Sequence, residues 1–77
     1  MSVQERENKS QFYIQVLPEH ITYVNKIMEG YEYLGMVSTV DREKGLLVIR
    51  VTPDTYEDAR SIISQLPINI QFFERKE

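Results

Sequence analysis

The apolar positions of this chain change period five times, and a turn or cap residue stands beside each change. From Gln11 to Leu17 the alternation of Phe12, Ile14 and Val16 on one face predicts a strand. Pro18 ends it and suits the first turn of a helix, where a missing N–H is no loss. Glu19 then puts a carboxylate at the favourable end of the helix dipole. Ile21, Val24, Ile27 and Met28 recur at three-to-four-residue spacing, the stripe of a helix packed on one side. Gly30 offers a left-handed cap. Tyr31 and Leu34 would instead carry the stripe on to Gly35; the stop near Gly30 is the preferred reading.

Met36–Val40 reads as a second strand, and Asp41–Gly45 as a charged hairpin turn in which Gly45 takes positive φ. Leu46–Val51 is the third strand. Thr52 to Thr55 turns the chain into a second helix, with Asp54 or Thr55 as N-cap and Tyr56, Ala59, Ile62, Ile63 and Leu66 as its stripe. Pro67 stops that helix, and Ile68, Ile70 and Phe72 alternate along a fourth strand. Strand, helix, strand, strand, helix, strand is the order of an α+β, ferredoxin-like βαββαβ two-layer sandwich. Right-handed crossovers put both helices on one face of an antiparallel sheet of order 4-1-3-2. The expected helix-facing set is Phe12, Ile14, Val16, Leu47, Ile49, Val51, Ile68, Ile70 and Phe72. Residues 1–10 read as a flexible leader, 11–75 as the single domain, and Lys76–Glu77 as a fraying tail.

The other face of the sheet breaks the rule that an open face is polar. Tyr13, Leu17, Leu46, Val48 and Phe73 fall there beside Gln15, Arg50, Asn69 and Gln71, with Met36 and Val40, or else Val37, added by the second strand. An apolar strip with a polar rim predicts a contact surface, and homodimerisation through this face or a strand edge is the simplest form of it. The competing reading is ordinary scatter, since isolated exposed apolar residues occur on any protein.

Composition narrows the functions. A 77-residue chain makes one small domain, whose core gains from added support. Cysteine is absent, so that support is not a disulfide, and one histidine with no ligand cluster argues against a metal. Self-association remains. Nine basic and twelve acidic residues leave a net charge of −3, with the excess on the helical segments, so nucleic acid and membrane surfaces are poor partners. No apolar run in the sequence approaches a transmembrane length, and Met1–Ser10 carries no signal-like core. The expected setting is the cytoplasm.

Catalytic chemistry has little to work with. A serine or threonine nucleophile would need His20 as its base, and His20 reads as a solvated helix residue. Glu29/Glu32 and Asp54/Glu57/Asp58 read as solvated charges matched to helix ends. Tyr31 and Tyr33 read as packing where the first helix meets the second strand. No enzyme, cofactor or metal is expected.

Two family resemblances follow from named residues. Ile14 to Val51 resembles an ACT-type regulatory domain: a strand, Pro18 at the helix start, a short amphipathic helix, a glycine, then Val37-Ser38-Thr39-Val40 and an apolar hairpin. Such domains pair through their sheets and bind small metabolites between the first strand–helix junction of one copy and a strand of its neighbour. Carried over, that implies Pro18, Glu19 and His20 with Val37, Ser38 and Thr39 as ligand-binding residues; Glu19 stands where such domains carry a glycine. Pro18, Ile21, Tyr23 to Asn25, Glu29-Gly30-Tyr31-Glu32, Thr39-Val40-Asp41 and Gly45 resemble more closely the uncharacterised bacterial domain-of-unknown-function family 4911. That resemblance implies a stand-alone bacterial cytoplasmic protein and brings no activity. The expected function is a non-enzymatic ACT-like regulatory or small-ligand-sensing module that forms a homodimer. The alternative is a ligand-free structural adaptor that binds another protein.

Overall fold

A computed structural model of the protein describes residues 9–73. The elements are β1 (Gln11–Gln15), a single 3-10 turn at Pro18–His20, α1 (Ile21–Glu29), β2 (Gly35–Asp41), β3 (Leu46–Val51), α2 (Tyr56–Ser64) and β4 (Gln71–Phe73). The strands form one sheet in the order β2-β3-β1-β4, and every neighbouring pair is antiparallel. Phe12, Ile14, Leu47 and Ile49 are fully buried and share one core with Ile21, Val24 and Met28 of α1 and Tyr56, Ala59 and Ile63 of α2. Both helices therefore cover the same face of the sheet. Val37, Val51, Ile68, Ile70 and Phe72 pack at the margin of that core. Each such side chain contributes roughly 1.5–3 kcal/mol when wholly removed from water, before chain entropy opposes it.

An aromatic group closes the α2 end of the core. Phe12 meets Tyr56 edge-on at 5.5 Å and stacks on Phe72 at 6.0 Å between ring centroids. The Arg60 guanidinium lies over this group, 4.6 Å from the Phe72 centroid and 5.5 Å from that of Phe12. At these distances the cation is attracted by the negative faces of the rings.

Several local details depart from the sequence reading. Gly30 caps α1 with φ −76°, a right-handed value, so its freedom is not what ends the helix. The chain turns instead through Tyr31–Leu34, with the Leu34 N–H donating to the Tyr31 carbonyl at 2.7 Å and Leu34 buried. Thr55 precedes α2 but gives it no side-chain cap. Its hydroxyl donates to the Leu34 carbonyl at 2.9 Å, tying the turn before α2 to the turn before β2. That carbonyl is a tertiary acceptor, and local spacing does not reveal it.

The fourth strand is shorter than its alternation. Gln71 pairs with Gln15, so Asn69 would stand opposite Leu17, where the partner strand bends into Pro18 and loses an N–H. Ile68 and Ile70 still reach the core but carry no ladder. At the other edge, the register shifts between Thr39 and Asp41, and Val40 is the extra residue of a bulge. Val37, opposite Ile49, therefore faces the helices, and Met36, opposite Arg50, faces away. The first eight residues of the expected leader, and the domain end beyond Phe73, lie outside the described residues. Of the leader's last two, Ser10 accepts a hydrogen bond from the Val51 N–H at 2.9 Å and Lys9 pairs with Glu57 at 3.5 Å, so this part is tied to the domain.

Candidate functional site

The open face of the sheet is built by register. Ser38 stands opposite Val48, Val48 opposite Tyr13, and Tyr13 opposite Phe73, one unbroken row across all four strands. Leu46 stands beside Gln15 in the next row. The Tyr13 hydroxyl accepts from the Gln11 side-chain amide at 3.2 Å. The strip is contiguous, but it is not bare. Val48 is 2% exposed in the single chain, and Tyr13, Leu46 and Phe73 are half-buried. Val48 is a short side chain on an interior strand, with Tyr13 and Ser38 across from it and Leu46 and Arg50 along β3. Its burial in the single chain is something a period-two pattern does not record.

The residues taken as ligand-binding fall into two groups. Pro18, Glu19 and His20 form the 3-10 turn between β1 and α1, where the His20 N–H donates to the Leu17 carbonyl at 2.8 Å. His20 Nε2 lies 4.0 Å from a Glu19 carboxylate oxygen, and Nδ1 is buried with no partner among the described residues. Val37, Ser38 and Thr39 lie on β2, and β3 intervenes between β2 and β1. Ser38 faces outward opposite Val48, while Val37 and Thr39, opposite Ile49 and Leu47, face the helix layer. One chain does not bring the two groups together.

Two grooves flank these groups. Beside Pro18, a groove of about 390 Å³ is lined by Gln15, Leu17, Lys44, Asn69 and Gln71, and the Gln15 amide donates to the Lys44 carbonyl at 2.9 Å. Along β2, a second groove of about 350 Å³ is walled by Asn25, Glu29 and Glu32 and floored by Met28, Gly35, Met36 and Val37. The sequence reading passed over this second groove. It took Glu29 as matched to a helix end, yet Glu29 sits in the last turn of α1, where the negative end of the dipole disfavours a carboxylate. It took Tyr31 and Tyr33 as packed, yet they are 37% and 73% exposed, with ring centroids 6.4 Å apart. The available signal was the placement of Glu29 beside a glycine and two tyrosines at the end of an apolar stripe.

Among the described residues no group of three or more histidine, aspartate and glutamate side chains could hold a metal ion. No described helix is long and apolar enough to cross a membrane. A family model described as a domain of unknown function, DUF4911, matches residues 14–70. The chain belongs to the DUF4911 family. No curated protein matches it, and no solved structure does. The DUF4911 span holds every residue of the β2 groove, and of the outer row it holds Ser38 and Val48 but neither Tyr13 nor Phe73.

Proposed function

We propose that this DUF4911 chain is a non-enzymatic regulatory module of the bacterial cytoplasm, ferredoxin-like and ACT-like in architecture, that works as a homodimer joined through the open face of its sheet. The observation that carries this reading is the unbroken row Val48–Tyr13–Phe73, apolar at its centre and bordered by Gln15, Gln71 and Arg50. A second copy laid on that row removes the half-exposed rings of Tyr13 and Phe73 from water. The ferredoxin-like and ACT-like assignment draws on the βαββαβ order and the strand order β2-β3-β1-β4. In this reading a small metabolite sits against Pro18, Glu19 and His20 of one copy and Val37, Ser38 and Thr39 of its neighbour. The separation of those groups by β3 makes the second copy necessary.

Light scattering tests the dimer. Phe73→Glu places a charge at the rim of the row, and the mass is expected to fall from dimer to monomer with folding intact. A wild-type monomer at roughly tens of micromolar sinks the reading, because association must compete with the free chain at that concentration. A thermal-shift screen with amino acids and nucleotides tests the ligand. A metabolite at 100 times its Kd adds about 2.7 kcal/mol, which moves the melting point of so small a domain by roughly 10 °C or more.

A second reading, a ligand-free adaptor that binds another protein, is favoured by a different observation. Among the described residues no strand pairs with the outer edge of β2, and Met36 on that strand is exposed. A dimer with no thermal response to any metabolite selects this adaptor.

A further inference from the structure

We propose that the free edge of β2 docks an extended, positively charged segment of a partner protein, which joins the sheet as a fifth strand. The inference rests on the adaptor reading and names the partner's chemistry. β2 is the longest of the four described strands and ends the sheet, so one row of its peptide groups has no described strand beside it. Sheet edges are ordinarily blunted by lysines, prolines or short strands. β4, at the opposite edge, has three residues. β2 carries no charged residue or proline from Gly35 to Val40, and its bulge lies at the hairpin end, away from the groove.

The groove extends this edge on the helix side. A strand laid along β2 sends alternate side chains to the helix layer and to the outer face. On the helix side they meet Glu29, Glu32 and the Asn25 amide; on the outer face they meet Met36, which is 70% exposed. Neither glutamate has an ion-pair partner among the described residues. Glu29 also stands at the end of α1 where its charge opposes the dipole. A carboxylate held against local preference, unpaired, at an unprotected edge is complementary to a cation brought by another chain. The occupant is therefore a strand that alternates basic and apolar residues.

A second copy fits this edge less well. Antiparallel self-pairing about Ser38 sets Gly35 of one copy against Asp41 of the other. That brings a further carboxylate toward the acidic groove and supplies no cation to it.

The test is a fluorescence-anisotropy titration of the full chain with a labelled octapeptide of alternating lysine and valine. Saturable binding is expected, weakening as salt rises. The Glu29→Gln/Glu32→Gln double variant, altered only at exposed positions and checked for an unchanged melting point, should bind about tenfold more weakly or worse. Amide exchange at residues 35–39 should slow on binding. A lysine–valine peptide methylated at every backbone nitrogen has the same charge but no backbone donors; if it binds as well, charge adhesion alone is at work and the strand proposal fails. Binding of a glutamate–valine peptide instead of the lysine–valine one overturns the charge assignment and leaves the adaptor reading standing. Failure of both unmethylated peptides removes both. Exchange protection of residues 35–39 in a peptide-free dimer shows that a second copy holds the edge and also overturns the proposal.

Discussion

Gly45→Ala is expected to remove a large share of the stability of this domain. Gly45 holds φ at +72°, in the left-handed region, where a residue with a Cβ costs about 1–2 kcal/mol. A methyl at that position would also overlap the carbonyl oxygen of Val16 and press on the Pro18 nitrogen at 3.3 Å. Backbone atoms cannot rotate out of the way as a side chain can. Nor can the hairpin simply back off, because the Val16 N–H donates to the Gly45 carbonyl at 2.9 Å, a bond worth about 1 kcal/mol net. Together these effects reach about 3–5 kcal/mol, against a total of about 4–11 kcal/mol for a domain of this length. The urea midpoint should fall by about 2 M or more. Gly45→Asn separates the two causes. Asparagine tolerates the left-handed region, so an equal loss assigns the effect to overlap with Val16. A shift of less than about 0.5 M for either variant would mean the hairpin does not rest on the end of β1.

Val48→Glu ranks second, and it distinguishes the pattern of the sequence from the structure. Read from periodicity, Val48 faces water or a partner, and a glutamate there would only separate copies. At 2% exposure in one chain, it instead buries a carboxylate against Tyr13 and Leu46. The nearest same-face cation along the strand is Arg50, which is exposed. The expected cost is about 3 kcal/mol at neutral pH, since a buried charge without full pairing is strongly disfavoured. Burial raises the folded-state pKa of the new carboxyl above its unfolded value. The folded chain then binds more protons than the unfolded one, so stability falls as pH rises through that range and recovers as pH drops. Melting points from pH 5 to 8 should show the variant approaching wild type at the acidic end. A variant with a wild-type melting point and half the mass would restore the simpler interface reading.

The contrast between Val48 and Phe73 explains why the dimer experiment uses the latter. Both belong to the same row, but Phe73 is half-buried at the rim, so a charge there can reach water in the free chain. Position along the row, not membership of it, decides whether a substitution reports on folding or on association.

Much of the fold was readable because it follows from local period. Phe12, Ile14, Leu47 and Ile49 alternate along two strands and are all fully buried; Ile21, Val24 and Met28 make the helix stripe. The boundaries of β3 match the apolar run from Leu46 to Val51, and Gly45 adopts the positive φ its hairpin position predicts. The candidate site was less readable. Pro18–His20 and Val37–Thr39 were joined by resemblance, and β3 separates them in the folded chain. The β2 groove escaped notice because its walls, Asn25 and Glu29 on α1 and Glu32 in the turn after it, look like ordinary solvated positions.

The sequence by itself determined which faces are apolar, where the chain must turn, and how many strands and helices result, because side-chain period and turn chemistry act over a few residues. Only the tertiary structure decided the length of β4, the burial of Val48, the partner of the Thr55 hydroxyl and the open groove beside β2. Each of those depends on what a distant segment places opposite: the bend at Pro18, the ring of Tyr13, the carbonyl of Leu34, the end of α1. Periodicity is blind to such neighbours, since two residues far apart in the chain influence one another only once the sheet has brought them together.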